Sequence, residues 1–368
     1  MSWTDSIKAV AIISVSTIMS FFIVEYSYRN IIHEYLNKDF VHRIMLFELG
    51  NNFRNHDDYF KYFPNEEIRS TTLYSKSKPT SIDDLVIEYD YIIHTNNFGL
   101  VMRRDVLPNE RAIFVIGDSF TEGQGASPWF YELEDSYDVT KPKILNLGIL
   151  GTGPQQWKNL ASSTSKELGL DVVATVVNII PGDMDRNVWT FKERELNCLY
   201  RALCYYVYGF QGYKFVPEES NDDIKRAVLN RLINSKNVTN SSDLSFGTIK
   251  DILKQSRVIV DLYRYFYIDK SSYVLSNEAS LLALREAVSG KIYVNVVSQK
   301  NISSSNYANN NNAKRLIDFL HGNQIKYKWC DIPVDGFHKN DGHPNANGYK
   351  ILRECTRDAL DELDSAIQ

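Results

Sequence analysis

The sequence predicts an α/β fold, a three-layer α/β/α sandwich around a central parallel sheet. Three observations predict it. Short apolar runs rich in β-branched residues recur along the chain, and each ends in small or polar residues. Amphipathic stretches of helical length separate these runs. A chain of 368 residues with 43% hydrophobic content can also bury one large core plus a smaller appendage. Strands alternating with helices pack as a parallel sheet covered on both faces, with the working site at the carboxyl ends of its strands.

Taken in order, residues 9–24 are uncharged and mostly apolar, flanked by Lys8 and by Glu25, Tyr26, Tyr28 and Arg29. They are shorter than the ~20 residues that span a bilayer, but Ile7, a snorkelling Lys8 and the flanking tyrosines extend them. No small residues precede a cleavage point, so an uncleaved anchor over residues 1–28 is expected, with a buried helix as the alternative. Residues 30–80 read as helical and then irregular. With the strand at 86–94 they make a collar and lead-in over 29–109. The main domain follows over 110–368. It has strands at 112–118, 143–149, 172–180, 291–298 and 325–332. Helices are expected from about Trp129 and at 154–167, 277–289, 308–322 and 351–367. A mainly helical insertion over about 185–276 interrupts the alternation.

Two loops carry chemistry. Ala112 to Ile116 ends in Gly117-Asp118-Ser119, which suits a buried parallel strand delivering a serine hydroxyl beside a helix start. The plainer alternative is a serine that only caps the next helix. Far downstream, Asp341-Gly-His343-Pro-Asn345 precedes the last helix. A serine needs a base at neutral pH, and a histidine base needs a partner that fixes its tautomer. Asp341 and His343, two apart in a Gly/Pro loop, can supply both. Asp335-Gly-Phe-His338 is a competing acid–base pair, placed further from the helix start.

Together these loops resemble the SGNH/GDSL hydrolase superfamily, whose flavodoxin-like sheet has the same layering. Gly117-Asp118-Ser119-Phe120 is similar to its nucleophile block, and Asp341-Gly-His343-Pro-Asn345 to its last block. Asn146-Leu-Gly148-Ile-Leu-Gly151 is similar to its second block. Thr95 to Asp105 resembles the lead-in of membrane-anchored bacterial members. The resemblance implies Ser119 as nucleophile, His343 as base and Asp341 as its partner. It also implies an oxyanion hole built from the backbone N–H groups of Ser119 and Gly148. The third block departs from the pattern: Pro181-Gly182-Asp183 has Gly182 where an asparagine donor is expected. Asn178, Asn187 or the Gly182 backbone could supply that hydrogen bond, and an unreplaced donor costs about 3 kcal/mol of transition-state stabilisation.

The implied activity is ester hydrolysis on O-acyl groups of cell-surface polysaccharide, with acyl transfer to a sugar by the same triad as one alternative. A catalytically inactive polysaccharide-binding or assembly protein is the other. No cofactor is expected, and no Cys/His spacing suggests a metal site. A net charge of −5 argues against a nucleic-acid partner. Leu196 to Val216 holds seven Tyr or Phe residues, which either touch a saccharide or pack the insertion onto the core. The resemblance places the domain outside the inner membrane, although Arg29, Lys38 and Arg43 outnumber Lys8. In an oxidising compartment the four cysteines would pair as 198–204 and 330–355. In the cytosol all four would be free.

Overall fold

The structure is a computed structural model that describes residues 42–47, 53–76, 79–126, 128–188, 220–240, 271–288 and 291–367, with isolated positions between 16 and 27. The chain divides into two compact units. One comprises Met1–Arg43, Tyr74–Val86 and Lys225–Asp269; the other comprises Ile44–Leu73, Ile87–Ile224 and Lys270–Gln368. In the first unit, the Asp84 carboxylate gathers the N–H groups of Thr80 and Ser81 and the Lys76 ammonium. That unit also holds most of a helix over Asn221–Asn240. Among the described residues no helix is long and apolar enough to cross a membrane, and most of residues 9–24 lie outside them.

Ahead of the parallel sheet the chain forms strands where a helix and irregular coil were expected. These are β1 (His42–Phe47), β2 (Phe53–Asn55), β3 (Phe60–Tyr62) and β4 (Glu67–Ser75). With β5 (Leu85–His94), strands β1 and β4 form a three-stranded sheet in the order β1-β4-β5, while β2 and β3 pair antiparallel. The reason is visible in β4. Its sequence EIRSTTLYS is polar, but its β-branched threonines and isoleucine suit a pleated ladder, and nearly all its residues are buried. A polar strand buried on both faces lacks the period-two signal that would have revealed it.

The parallel sheet follows the expected plan. Its strands are β6 (Arg111–Gly117), β7 (Lys143–Gly148), β8 (Asp171–Ile179), β9 (Ile292–Val297) and β10 (Lys326–Cys330). They lie in the order β10-β9-β8-β6-β7, and every neighbouring pair is parallel. Numbered from β6, this is the doubly wound order 2-1-3-4-5, whose direction of winding reverses at the first strand. The crevice beyond the carboxyl end of β6 is therefore where a ligand site is expected. Strand β6 is buried from Ala112 onward, which is why its sequence is continuously apolar.

Helices cover both faces. Helix α3 (Pro154–Leu168) packs on β6 and β7 and against α5 (Ser271–Ala287). On the other face α7 (Ala346–Ile367) packs on β8, β9 and β10 and touches α2 (Phe130–Ser136). Helix α6 (Asn311–Gly322) packs on β10. The helix over Asn221–Asn240, α4, lies in the expected insertion. The aromatic segment 196–216, with Cys198 and Cys204, and much of the rest of the expected insertion fall outside the described residues. Cys330, ending β10, is disulfide-bonded to Cys355 on α7.

Candidate active site

Glycine at position 117 lets β6 turn sharply into the short helix α1 (Ser119–Glu122). A Cβ there would stand 2.0 Å from Thr121 Oγ1 and 2.5 Å from the Asn178 carbonyl, so no other residue fits. Asp118 caps the helix by accepting from the Phe120 N–H at 2.9 Å. The Ser119 hydroxyl is left at the carboxyl rim of the sheet, and its own N–H has no acceptor among the described residues.

The last loop reaches the same point. His343 Nε2 lies 2.9 Å from Ser119 Oγ, across 224 positions of sequence. Its Nδ1 lies 2.5 Å from Asp341 Oδ1, which also accepts the His343 N–H at 3.1 Å. A carboxylate only accepts, so Nδ1 carries the imidazole proton and the Nε2 lone pair faces the serine hydroxyl. Asp341 and Ser119 are buried, and the imidazole is 13% exposed at the mouth. Asn345 begins α7 by accepting from the N–H groups of Asn347 and Gly348, which fixes where this loop ends.

The competing pair does not assemble. Asp335 is exposed, and His338 Nε2 donates to the Gly125 carbonyl at 2.6 Å. Burial pushes the His338 imidazole below its ordinary range, which favours the neutral ring found on that carbonyl. Its ring lies 4.9 Å from that of Tyr89, so it walls the site.

Of the oxyanion donors expected from the sequence, one already has an acceptor within the protein. The Gly148 N–H donates to Asn146 Oδ1 at 2.8 Å and so already has an acceptor. Glycine is required there for another reason: a Cβ would stand 2.5 Å from the Glu122 nitrogen, where β7 passes α1. Asn178 is buried at the β8–β9 contact, where its Oδ1 accepts from Asn295 at 2.8 Å and from Thr356 of α7. These bonds hold its acceptor oxygen between strand and helix, while its Nδ2 has no hydrogen-bond partner among the described residues. Asn187 is exposed. Gly182 lies in the turn Pro181–Asp185, and the nearest atom to where its Cβ would be is Gln299 Nε2, at 3.8 Å. A glutamine from the end of β9 thus stands beside the slot that Gly182 leaves open.

Two buried acids support the loop that carries Ser119. Arg186 Nη1 lies 2.9 Å from Asp118 Oδ2 and 2.7 Å from Asp183 Oδ1, and it donates to the Thr152 carbonyl. Burial pushes the Asp183 carboxyl well above the usual range; the Arg186 charge opposes this and the Asp118 charge adds to it. Asn277 of α5 donates to the carbonyls of Met184 and Arg186, which ties the turn to the helix layer. Glu122, also fully buried, accepts from the Leu150 N–H at 2.5 Å. Burial raises its carboxyl to about 8.

Glu122 gives a stability test. Its folded pKa lies above the unfolded value of 4.5, so the native state holds the extra proton between pH 4.5 and about 8. Stability must then fall as pH rises through that window, by at most about 5 kcal/mol. Glu122→Gln keeps the acceptor for Leu150 and cannot ionise. Chemical denaturation from pH 5 to 8.5 should show a flatter profile for the variant, and equal slopes would contradict this.

Arg186, Glu122, Tyr89 and Gln299 were not singled out from sequence. For Gln299 a signal existed: Ser298-Gln299-Lys300 are the first polar residues after the apolar run of β9, at the same sheet edge as Ser119. Tyr89 reaches Asp341 from a strand outside the parallel sheet, its hydroxyl donating to Oδ2 at 3.0 Å.

No family model matches the chain, and no curated protein matches it. Among solved structures it is similar to a member of the lipolytic protein G-D-S-L family from Veillonella parvula DSM 2008, at 13% identity and a TM-score of 0.32. That match covers 68% of this chain and 98% of that one. A family two carbohydrate esterase from Cellvibrio japonicus matches at 11% identity and a TM-score of 0.27, covering 89% of this chain and 99% of that one. Esterase B from Lactobacillus rhamnosis matches at 9% identity and a TM-score of 0.27, covering 99% of this chain and 96% of that one. Likenesses this distant carry no weight about chemistry, which rests on the geometry above.

Proposed function

We propose that this protein is a serine-dependent acyl-ester hydrolase of the SGNH type, acting on O-acyl groups of cell-surface polysaccharide. The observation that carries the reading is the unbroken line from Asp341 through His343 to Ser119, at 2.5 and 2.9 Å. Ser119 Oγ attacks the ester carbonyl as its proton passes to His343 Nε2, and the imidazolium is held by Asp341. The oxyanion forms beside the Ser119 N–H, with the Gln299 amide as the nearest side-chain donor to the Gly182 slot. On collapse, His343 returns the proton to the departing sugar oxygen and leaves an acyl-serine. Water, deprotonated by His343, then releases the acid and frees the serine.

A sugar hydroxyl in place of that water would make the same centre an O-acyltransferase. The domain would work outside the inner membrane, held by residues 1–28. The Cys330–Cys355 bond supports an oxidising compartment, and the uncharged residues 9–24 support an anchor. The test is acetate release from acetylated polysaccharide, with and without an added sugar acceptor, using wild type and His343→Ala. Release by wild type alone supports the proposal, and acetyl groups moved to the acceptor select the transferase. Polysaccharide bound without any acyl loss would contradict both.

A further inference from the structure

We infer that Tyr89 is a positioning residue for the triad, so that the N-terminal three-stranded sheet completes the catalytic centre; this rests on the reading of Ser119 as nucleophile. Asp341 Oδ1 is engaged twice by His343, through Nδ1 and the backbone N–H. The other oxygen, Oδ2, takes the Tyr89 hydroxyl at 3.0 Å. Gln124 fixes the direction of that bond. Its Nε2 lies 3.1 Å from the Tyr89 oxygen and can only donate, so the tyrosine proton points to the carboxylate. Tyr89 is 5% exposed and its ring stands edge-on to His343, centroids 6.4 Å apart, so the hydroxyl has little freedom.

The neighbouring residue strengthens the grip. Both oxygens of Glu88 hold Asn340, one through the backbone N–H and one through Nδ2, each at 2.7 Å. Two consecutive residues of β5 therefore bind two consecutive residues of the acid-bearing loop, 252 positions away in sequence. The torsion that turns a carboxylate about its last bond is soft and roughly two-fold. With only His343 on one oxygen, the group could rock and take the imidazole with it. The tyrosine holds the second oxygen, and so holds Nε2 on the serine. The serine, histidine and aspartate all lie in the segments around the parallel sheet. Tyr89 brings in a group from outside it.

The test uses the full chain and a soluble aryl acetate. Tyr89→Phe removes one oxygen from a buried site and keeps the ring. We expect kcat to fall about ten-fold with KM within two-fold of wild type. The strongly deshielded proton NMR signal expected of His343 Nδ1–H in so short a bond should move upfield or broaden. Gln124→Met, which loses only the donor to the Tyr89 oxygen, should shift the signal and kcat the same way by a smaller amount. Unchanged kcat and unchanged signal in both variants would overturn the inference. If wild type cleaves no ester but the signal still moves in Tyr89→Phe, Tyr89 positions Asp341 and the hydrolase reading falls. If wild type cleaves the ester and neither variant alters kcat or signal, the reading stands and the positioning role falls.

Discussion

His343→Ala is expected to lower kcat on an aryl acetate by about 10⁴-fold, with KM and thermal midpoint close to wild type. Among the described residues the hydrogen bonds of the ring go to Asp341 and Ser119, and truncation leaves the buried Asp341 carboxylate with the Tyr89 hydroxyl on Oδ2 and the residue-343 N–H on Oδ1. Asp341→Asn should lose nearly as much for a different reason. An amide can present its N–H to Nδ1, which would turn the wrong tautomer toward the serine. Residues that act as one unit are not additive, so the double variant should be no slower than about twice either single one. Stopped kinetics on the three variants and wild type check this. A multiplicative double variant would mean that the two side chains serve separate purposes.

The largest stability effect is expected at Arg186. Its guanidinium pairs with both Asp118 and Asp183, which are wholly buried near Ser119. Arg186→Met leaves two carboxyl groups facing each other in a low-dielectric site, at a cost of about 3 kcal/mol. The pH dependence follows from Asp183, whose carboxyl burial holds well above its unfolded value of 3.8. The native state binds more protons than the unfolded chain above that value, so stability falls as pH rises. Arg186 opposes that shift, and without it the fall should steepen. Urea denaturation at pH 5 and pH 8 should show a larger gap between variant and wild type at pH 8. An equal gap at both would mean that Arg186 contributes packing only.

The parallel sheet was legible because β6, β7, β8 and β9 are largely buried on both faces and so read as largely apolar runs, while the edge strand β10 alternates exposed and half-buried residues. Val86 to His94 was legible for a related reason, since β-branched and aromatic residues dominate it. The strands between 42 and 75 were not, because β4 is buried yet polar and the others are only three to six residues long. The ends of the site were readable from local chemistry. A serine after Gly-Asp at a strand end, and an Asp-x-His before a helix, each mark candidate residues locally, and the fold brings them together. The middle was not. Gly148 and Asn178 have the right chemistry for oxyanion donors, but their bonds to Asn146, Asn295 and Thr356 depend on contacts no local pattern encodes. Tyr89 and Gln299 reach the site from separate strands, and neither lies in a motif.

In the proposed mechanism Ser119 is the nucleophile made reactive by His343, and reaction with a fluorophosphonate reads this without any choice of substrate. Intact-mass analysis followed by peptide mapping should find one adduct, on Ser119, in folded wild type. It should be absent in Ser119→Ala and formed far more slowly in His343→Ala. Folded wild type that takes no label, or takes it on another residue, would contradict the account.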